Sequence, residues 1–123
     1  MLDSAFVIDV LHGVPEALAR QRAIFELGDE PFVNEVVICE VRAGLRELDE
    51  PNLIGILEPV ECIQPGPESA MRAGKWRRDA HERGRALSLP DALIAAAADG
   101  VEAAVLTRNV RDFSLTPVRV ETY

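Results

Sequence analysis

A three-layer α/β/α sandwich with a central, mostly parallel sheet is the architecture this sequence specifies, formed as a single domain over residues 1–123. Short apolar segments bounded by turn residues alternate along the chain with longer stretches of helical periodicity. Strands separated by helices require right-handed crossovers, which make neighbouring strands parallel and cover both faces of the sheet. The length fits one domain, and 48% hydrophobic with 28% charged residues is the balance of a folded globular chain, not of a disordered or fibrous one.

The first apolar run, Met1 to Leu11, is punctuated by Asp3-Ser4, so a brief strand ends at Asp3 and a short helix follows, closed by Gly13. Pro15 opens the next helix where its missing N–H costs nothing, and Gly28 closes it. Phe32-Val33 forms a strand stopped by Asn34, a good N-cap for a helix from about Glu35 to Leu48. Pro51 starts a further short helical piece. Val60 to Ile63 is a third strand, ended by Pro65-Gly66-Pro67. Glu68 to about Leu87 is helical and strongly charged, weakened at Gly74 and Gly84. Ser88 and Pro90 set up the helix Ala92 to Ala98, with Gly100 as its C-cap. Its small side chains let it lie close against a sheet. Ala103 to Thr107 is the most strand-like segment, Arg108 to Phe113 a loop or single turn, and Val118 to Glu121 a last short strand.

Composition excludes several classes. Asp3 and Asp9 interrupt the apolar start, no basic segment precedes it, and no uncharged run approaches the ~20 residues needed to span a bilayer, so the expectation is a cytoplasmic protein with no membrane association. Cys39 and Cys62 lie in apolar stretches without CxxC spacing or a histidine pair nearby. Each is expected as a small buried hydrophobe, and zinc is not expected. The net charge of -8 repels nucleic acid at long range, so any phosphate-bearing partner must be held by local features.

In an open parallel sheet, ligands gather where strands end and helices begin. Four acids fall there: Asp3 at the end of the first strand, Asp91 in the first turn of the alanine-rich helix, Asp112 after the strand ending at Thr107, and Glu40. Glu40 lies three residues after Val37, on the side of its helix that carries Val37, Val41, Leu45 and Leu48, so its carboxylate is expected to face inward. Taken singly, Asp3 serves as a cap, Asp91 complements a helix N-terminus and Asp112 solvates a loop. Glu40 resists such an explanation, because an inward acid without a partner is costly. Asp9 and Glu47 fit exposed helix faces and are expected to be structural.

Four converging acids raise the cost of ionising one another unless a divalent cation relieves the repulsion. All-oxygen ligation without histidine or thiolate selects a hard ion, Mg²⁺ or Mn²⁺. Such an ion acidifies a bound water into a nucleophile suited to a phosphodiester and stabilises charge on the phosphoryl oxygens. Residues 72 to 85 then supply the local counterweight: Arg72, Lys75, Arg77, Arg78, Arg83 and Arg85 against Asp79 and Glu82 give +4 there and -12 over the rest of the chain. A basic arm of this kind suits a phosphate backbone guided toward the acids, with Arg72, Lys75, Arg77 and Arg78 as candidate contacts. A solvated face pairing with acids of the same or a partner subunit is the alternative. Trp76, inside the arm, either stacks a base or packs on the core.

The motifs LDSAFVID (residues 2–9), NEVVICEVRAG (34–44), LSLPDALIAAAA (87–98) and LTRNVRDF (106–113) together resemble the PIN-domain ribonucleases, in particular VapC-type toxins of type II toxin–antitoxin modules, in order and across nearly the whole chain. The resemblance implies a PIN-like sheet with an acidic site at the strand C-terminal ends. Asp3, Glu40, Asp91 and Asp112 match the acids that bind Mg²⁺ or Mn²⁺ and activate water for RNA hydrolysis. Asp3 and Asp91 are assigned direct metal contact, and Glu40 and Asp112 act directly or through bound water. Ser4 matches the small hydroxyl residue after the first acid, and Thr107 and Asn109 the polar pair supporting the last. Because position 109 is an amide where some members carry further acid, the number of metals is left open. Membership also implies a homodimer and a cognate antitoxin that places a basic side chain at the acidic pocket.

Two other classes use similar parts. A phospho-acceptor receiver domain also builds an acidic magnesium pocket on a parallel sheet, but paired acids are missing before the end of the first strand, and Lys75, the sole lysine, is far from the last strands. A catalytically inactive PIN-type scaffold that binds RNA or protein without cutting it is the other.

Overall fold

The computed structural model describes all 123 residues, Met1 to Tyr123. Six helices cover a small parallel sheet: α1 (Ser4–Leu11), α2 (Pro15–Glu26), α3 (Glu35–Ala43), α4 (Glu50–Leu57), α5 (Pro67–Glu82) and α6 (Leu89–Gly100). The strands are β1 (Phe32–Val33), β2 (Glu61–Cys62), β3 (Val105–Leu106) and β4 (Val120–Glu121). β1 pairs in parallel with β2, and β3 with β4. The segment at Leu2 joins the two pairs, for its N–H donates to the Phe32 carbonyl at 2.8 Å while Leu2 and Leu106 form a parallel bridge. The order across the sheet is therefore β2, β1, the Leu2 segment, β3, β4, and the β1–β2, Leu2–Leu106 and β3–β4 pairings are parallel, as the alternating pattern requires.

The local signals act where the chain chemistry places them. Asn34 caps α3, its Oδ1 accepting the Val37 N–H at 3.1 Å, and Ser88 caps α6, its Oγ accepting the Asp91 N–H at 3.2 Å. Pro15 begins α2. Gly13 turns the chain out of α1 with φ +71°, a left-handed conformation that other residues adopt only under strain.

Two helices are shorter than their periodicity implied. α3 stops at Ala43 instead of Leu48, and Glu47–Asp49 forms a separate 3₁₀ turn. The Arg42 guanidinium organises this bend, donating to the Leu45 carbonyl and pairing with Glu47 and Glu50, and Leu48 is left exposed. α5 ends at Glu82 because Gly84 takes φ +70° and turns the chain into the extended run that leads to Ser88. Both cysteines are exposed, contrary to expectation. Cys39 lies two residues from each of the buried Val37 and Val41, which turns it to the opposite side of α3, and Cys62 sits on an edge strand.

The main core gathers Phe6, Val7, Val33, Val37, Val41, Ile94, Val105 and Phe113, all at most 1% exposed. Burying side chains of this size contributes about 1.5–3 kcal/mol each. A smaller cluster of Ala73, Ala80, Leu87, Ala92 and Ala96 seals α5 onto α6, with half-buried Trp76 packed against both clusters, so the tryptophan belongs to the core and not to a free stacking surface. Ala95 to Ala98 are completely buried, which fixes the axis of α6 and therefore the position of its N-terminal turn.

Candidate active site

Helices that follow or precede parallel strands present their N-termini at the strand C-terminal edge. Here α1 starts directly after the Leu2 segment, α3 directly after β1, and α6 runs back toward the start of β3, so three helix starts meet at one edge. Asp3, at the N-cap of α1, is 3% exposed. Its Oδ2 accepts the Thr107 hydroxyl at 2.7 Å, and its Oδ1 lies 3.4 Å from the Ser4 hydroxyl. Burial raises the Asp3 pKa, and the hydrogen bonds from Thr107 and Ser4 oppose that rise.

Glu40 reaches the same edge from the second turn of α3, where its Oε1 accepts from Ser4 Oγ at 3.1 Å. It is exposed, not inward, so it carries no desolvation cost and Ser4 links it to Asp3 at the surface. Asp91 occupies the first turn of α6 and is half-buried. Its pKa is pushed up to about 6, chiefly by burial; the Ser88 hydrogen bond pulls the other way, and the charges of Asp3, Asp112 and Glu40 raise it further. Those three charges acting on one carboxyl place the four acids in a common field. Asp112 is exposed on the 3₁₀ turn Val110–Phe113, with its N–H on the Asn109 carbonyl at 3.0 Å.

The acids share a mouth without closing on one another: no three histidine, cysteine or acidic side chains form a group able to hold a metal ion. Mutual repulsion and the separate anchoring of Asp3 and Glu40 are consistent with this open arrangement. Thr107, fully buried, is the junction of the supporting network, donating to Asp3 and accepting the Asn109 N–H at 2.9 Å. Asn109 takes part through its backbone, since its amide side chain makes no hydrogen bond to protein.

The basic arm is largely engaged by its own chain. Arg72 Nε lies 3.1 Å from Asp99 Oδ2, although without the alignment of a hydrogen bond. Arg77 donates to the Leu87 carbonyl at 3.0 Å, Arg78 pairs with Glu82 at 3.0 Å, and Lys75 is exposed. Of the four expected RNA contacts, Lys75 alone forms no ion pair or hydrogen bond.

Asp9 departs from the expected exposed position. It is 4% exposed, paired with Arg108 and accepting the Tyr123 hydroxyl at 2.7 Å, while the Tyr123 ring stands edge-on to Phe6 with centroids 5.0 Å apart. Burial, together with the hydrogen bond to Asp9, drives the Tyr123 pKa upward. This group ties the start of the loop that bears Asp112 to α1. A signal was present in the sequence, because Asp9 follows the buried Ala5 and Phe6 by four and three residues on one helical face.

The PIN domain family matches residues 1–117. The chain is 31% identical over 117 residues to Ribonuclease VapC19 of Mycobacterium tuberculosis, covering 95% of this chain and 94% of that protein. Among solved structures it is similar to VapBC2 from Rickettsia felis bound to a promoter DNA fragment, with a TM-score of 0.87 at 18% identity over 99% of this chain and 96% of that one. A toxin–antitoxin complex from Klebsiella pneumoniae gives a TM-score of 0.78 at 27% identity, over 98% and 94% of the respective chains.

Proposed function

The chain belongs to the PIN-domain family, and from that premise we propose that it is a Mg²⁺- or Mn²⁺-dependent endoribonuclease acting as the toxin of a type II toxin–antitoxin pair. The observation that carries the proposal is the common field of four acids at the strand C-terminal edge, in which Asp3, Asp112 and Glu40 all raise the pKa of Asp91. The all-oxygen donor set fits a hard divalent ion, and a field that opposes ionisation of Asp91 is one that a cation would relieve. Asp3 and Asp91 are the proposed direct ligands, with Glu40 and Asp112 completing the site directly or through water. A cation bound there supplies an acidified water and offsets charge on the phosphate.

The rest is work for the chain itself. Thr107 fixes one oxygen of Asp3 in place, Ser4 links Asp3 to Glu40, and the Ser88 cap sets the first turn of α6 from which Asp91 projects. The edge is open to solvent at Glu40 and Asp112, which gives a single strand access without prior unfolding of the protein.

The relatives with solved structures are toxin–antitoxin complexes, which supports a small antitoxin partner for this chain, and we place a homodimer in the same proposal. No helix is long and apolar enough to cross a membrane, and action on cytoplasmic RNA is part of the same proposal. A non-cutting scaffold is favoured by one observation, the lack of a ready-made cation cage. Incubation with single-stranded RNA and Mn²⁺ separates the two: the nuclease cuts and EDTA stops it, whereas binding without cleavage under any divalent ion defeats the nuclease.

A further inference from the structure

The chain's arginines are almost all engaged. Arg20, Arg42, Arg46, Arg72, Arg78, Arg108 and Arg119 pair with acids, and Arg77 and Arg83 donate to backbone carbonyls. Arg22, Arg85 and Arg111 alone make no ion pair or side-chain hydrogen bond. Two of these three line the same cavity. It has a volume of about 410 Å³, and Arg85 and Arg111 share its walls with Ser88, Asp91 and Asp112.

Guanidinium and carboxylate groups that meet form strong, often bidentate pairs. Here neither arginine lies within 4.0 Å of a carboxylate, so both guanidiniums stay available beside Asp91 and Asp112. The cavity thus carries carboxylates and guanidiniums in one lining without an ion pair between them. A ligand that complements both must carry negative charge toward the arginines while meeting a cation held by the acids. A phosphodiester does this. Guanidinium presents paired donors that match two phosphate oxygens, a geometry that an ammonium cannot reproduce.

The geometry points to Arg85 and Arg111 as a two-armed clamp for a backbone phosphate of the RNA strand, next to the acids and distinct from the basic face of α5. This inference rests on the ribonuclease proposal for the identity of the ligand. Arg85 comes from the extended run after α5 and Arg111 from the 3₁₀ turn bearing Asp112, so the two arms reach the cavity from two elements. It also answers the problem set by the net charge of -8: attraction is supplied beside the acids themselves, where long-range repulsion is strongest.

The test is binding of a 2′-deoxy or 2′-O-methyl oligonucleotide in EDTA, followed by fluorescence anisotropy as NaCl is varied, for wild type, Arg85→Gln, Arg111→Gln, the double variant and the two lysine variants. Each glutamine variant should bind about tenfold more weakly and lose about 0.7 from the slope of log affinity against log salt. The lysine variants should keep the slope and recover only part of the affinity. All positions involved are exposed, so circular dichroism should show native folding throughout. A double variant that binds with wild-type affinity and slope overturns the clamp, as does a wild type that binds no single strand. If wild type cuts RNA while the double variant does so with unchanged KM, the clamp falls and the nuclease stands. If wild type shows clamp-dependent binding but no cleavage with Mn²⁺, the nuclease falls and the clamp stands.

Discussion

The hydroxyl of Thr107 donates to Oδ2 of Asp3 across 2.7 Å inside the protein, joining side chains 104 positions apart. The same hydroxyl oxygen receives the Asn109 N–H at 2.9 Å, so one buried group fixes both the first acid and the loop that bears the last. Thr107→Val keeps the shape and removes both bonds. It should destabilise the protein by about 1–3 kcal/mol in urea unfolding, the cost of a buried polar group left unpaired. Cleavage should drop by about 10- to 100-fold, and Thr107→Ser should restore most of it. Unchanged activity in Thr107→Val would separate this contact from catalysis.

Asp91 carries an opposite signature in stability. Its carboxyl titrates near 6 in the folded protein against an ordinary value of 3.8, so folding favours its protonated form. That contribution is complete below about pH 3.8 and is lost as pH rises through about 6. Thermal melts should show wild type losing stability across this interval relative to Asp91→Asn, with the variant the more stable protein at pH 7 and inactive on RNA. Parallel curves for the two proteins would contradict the shared field.

Divalent cation should reverse that penalty. At neutral pH, Mn²⁺ at 100-fold excess over its Kd should stabilise wild type by about 2.7 kcal/mol by mass action, with little effect on Asp3→Asn or Asp91→Asn. Calorimetric titration checks the same point directly. A wild-type protein that takes up no Mn²⁺ would remove the metal site while leaving the fold untouched.

The Asp9, Arg108 and Tyr123 group should behave as a latch on the loop. Tyr123→Phe, which deletes one hydroxyl, should cost about 0.5–1.5 kcal/mol. Asp9→Asn should cost more, since Asp9 is 4% exposed and its charge faces Arg108. Amide exchange from Asn109 to Phe113 should speed up in both variants. Exchange confined to wild-type rates would show that the loop holds without the latch.

Much of the architecture was readable because its signals are local. Asn34 and Ser88 cap the helices their sequence neighbourhoods require, and the alternation of strands and helices leads to parallel pairing of β1 with β2 and of β3 with β4. What escaped depends on contacts between distant segments. The end of α3 is set by Arg42 reaching Glu47 and Glu50, and Asp9 finds partners 99 and 114 residues away. The exposure of Cys39 was legible from its spacing to Val37 and Val41, but its apolar neighbourhood pointed the other way. The four acids were located by their positions at element ends, whereas the outward turn of Glu40 and the free state of Arg85 and Arg111 belong to the tertiary structure alone.

Four consecutive alanines, Ala95 to Ala98, have no exposed surface, so no direction remains in which that stretch can swell. Adding even two methyl groups there must displace the helix, and the displacement travels along a rigid rod to the turn that holds Asp91. Mutational scanning for inactive yet soluble protein should therefore find hits among the least reactive side chains in the molecule, about one to two helical turns from Asp91.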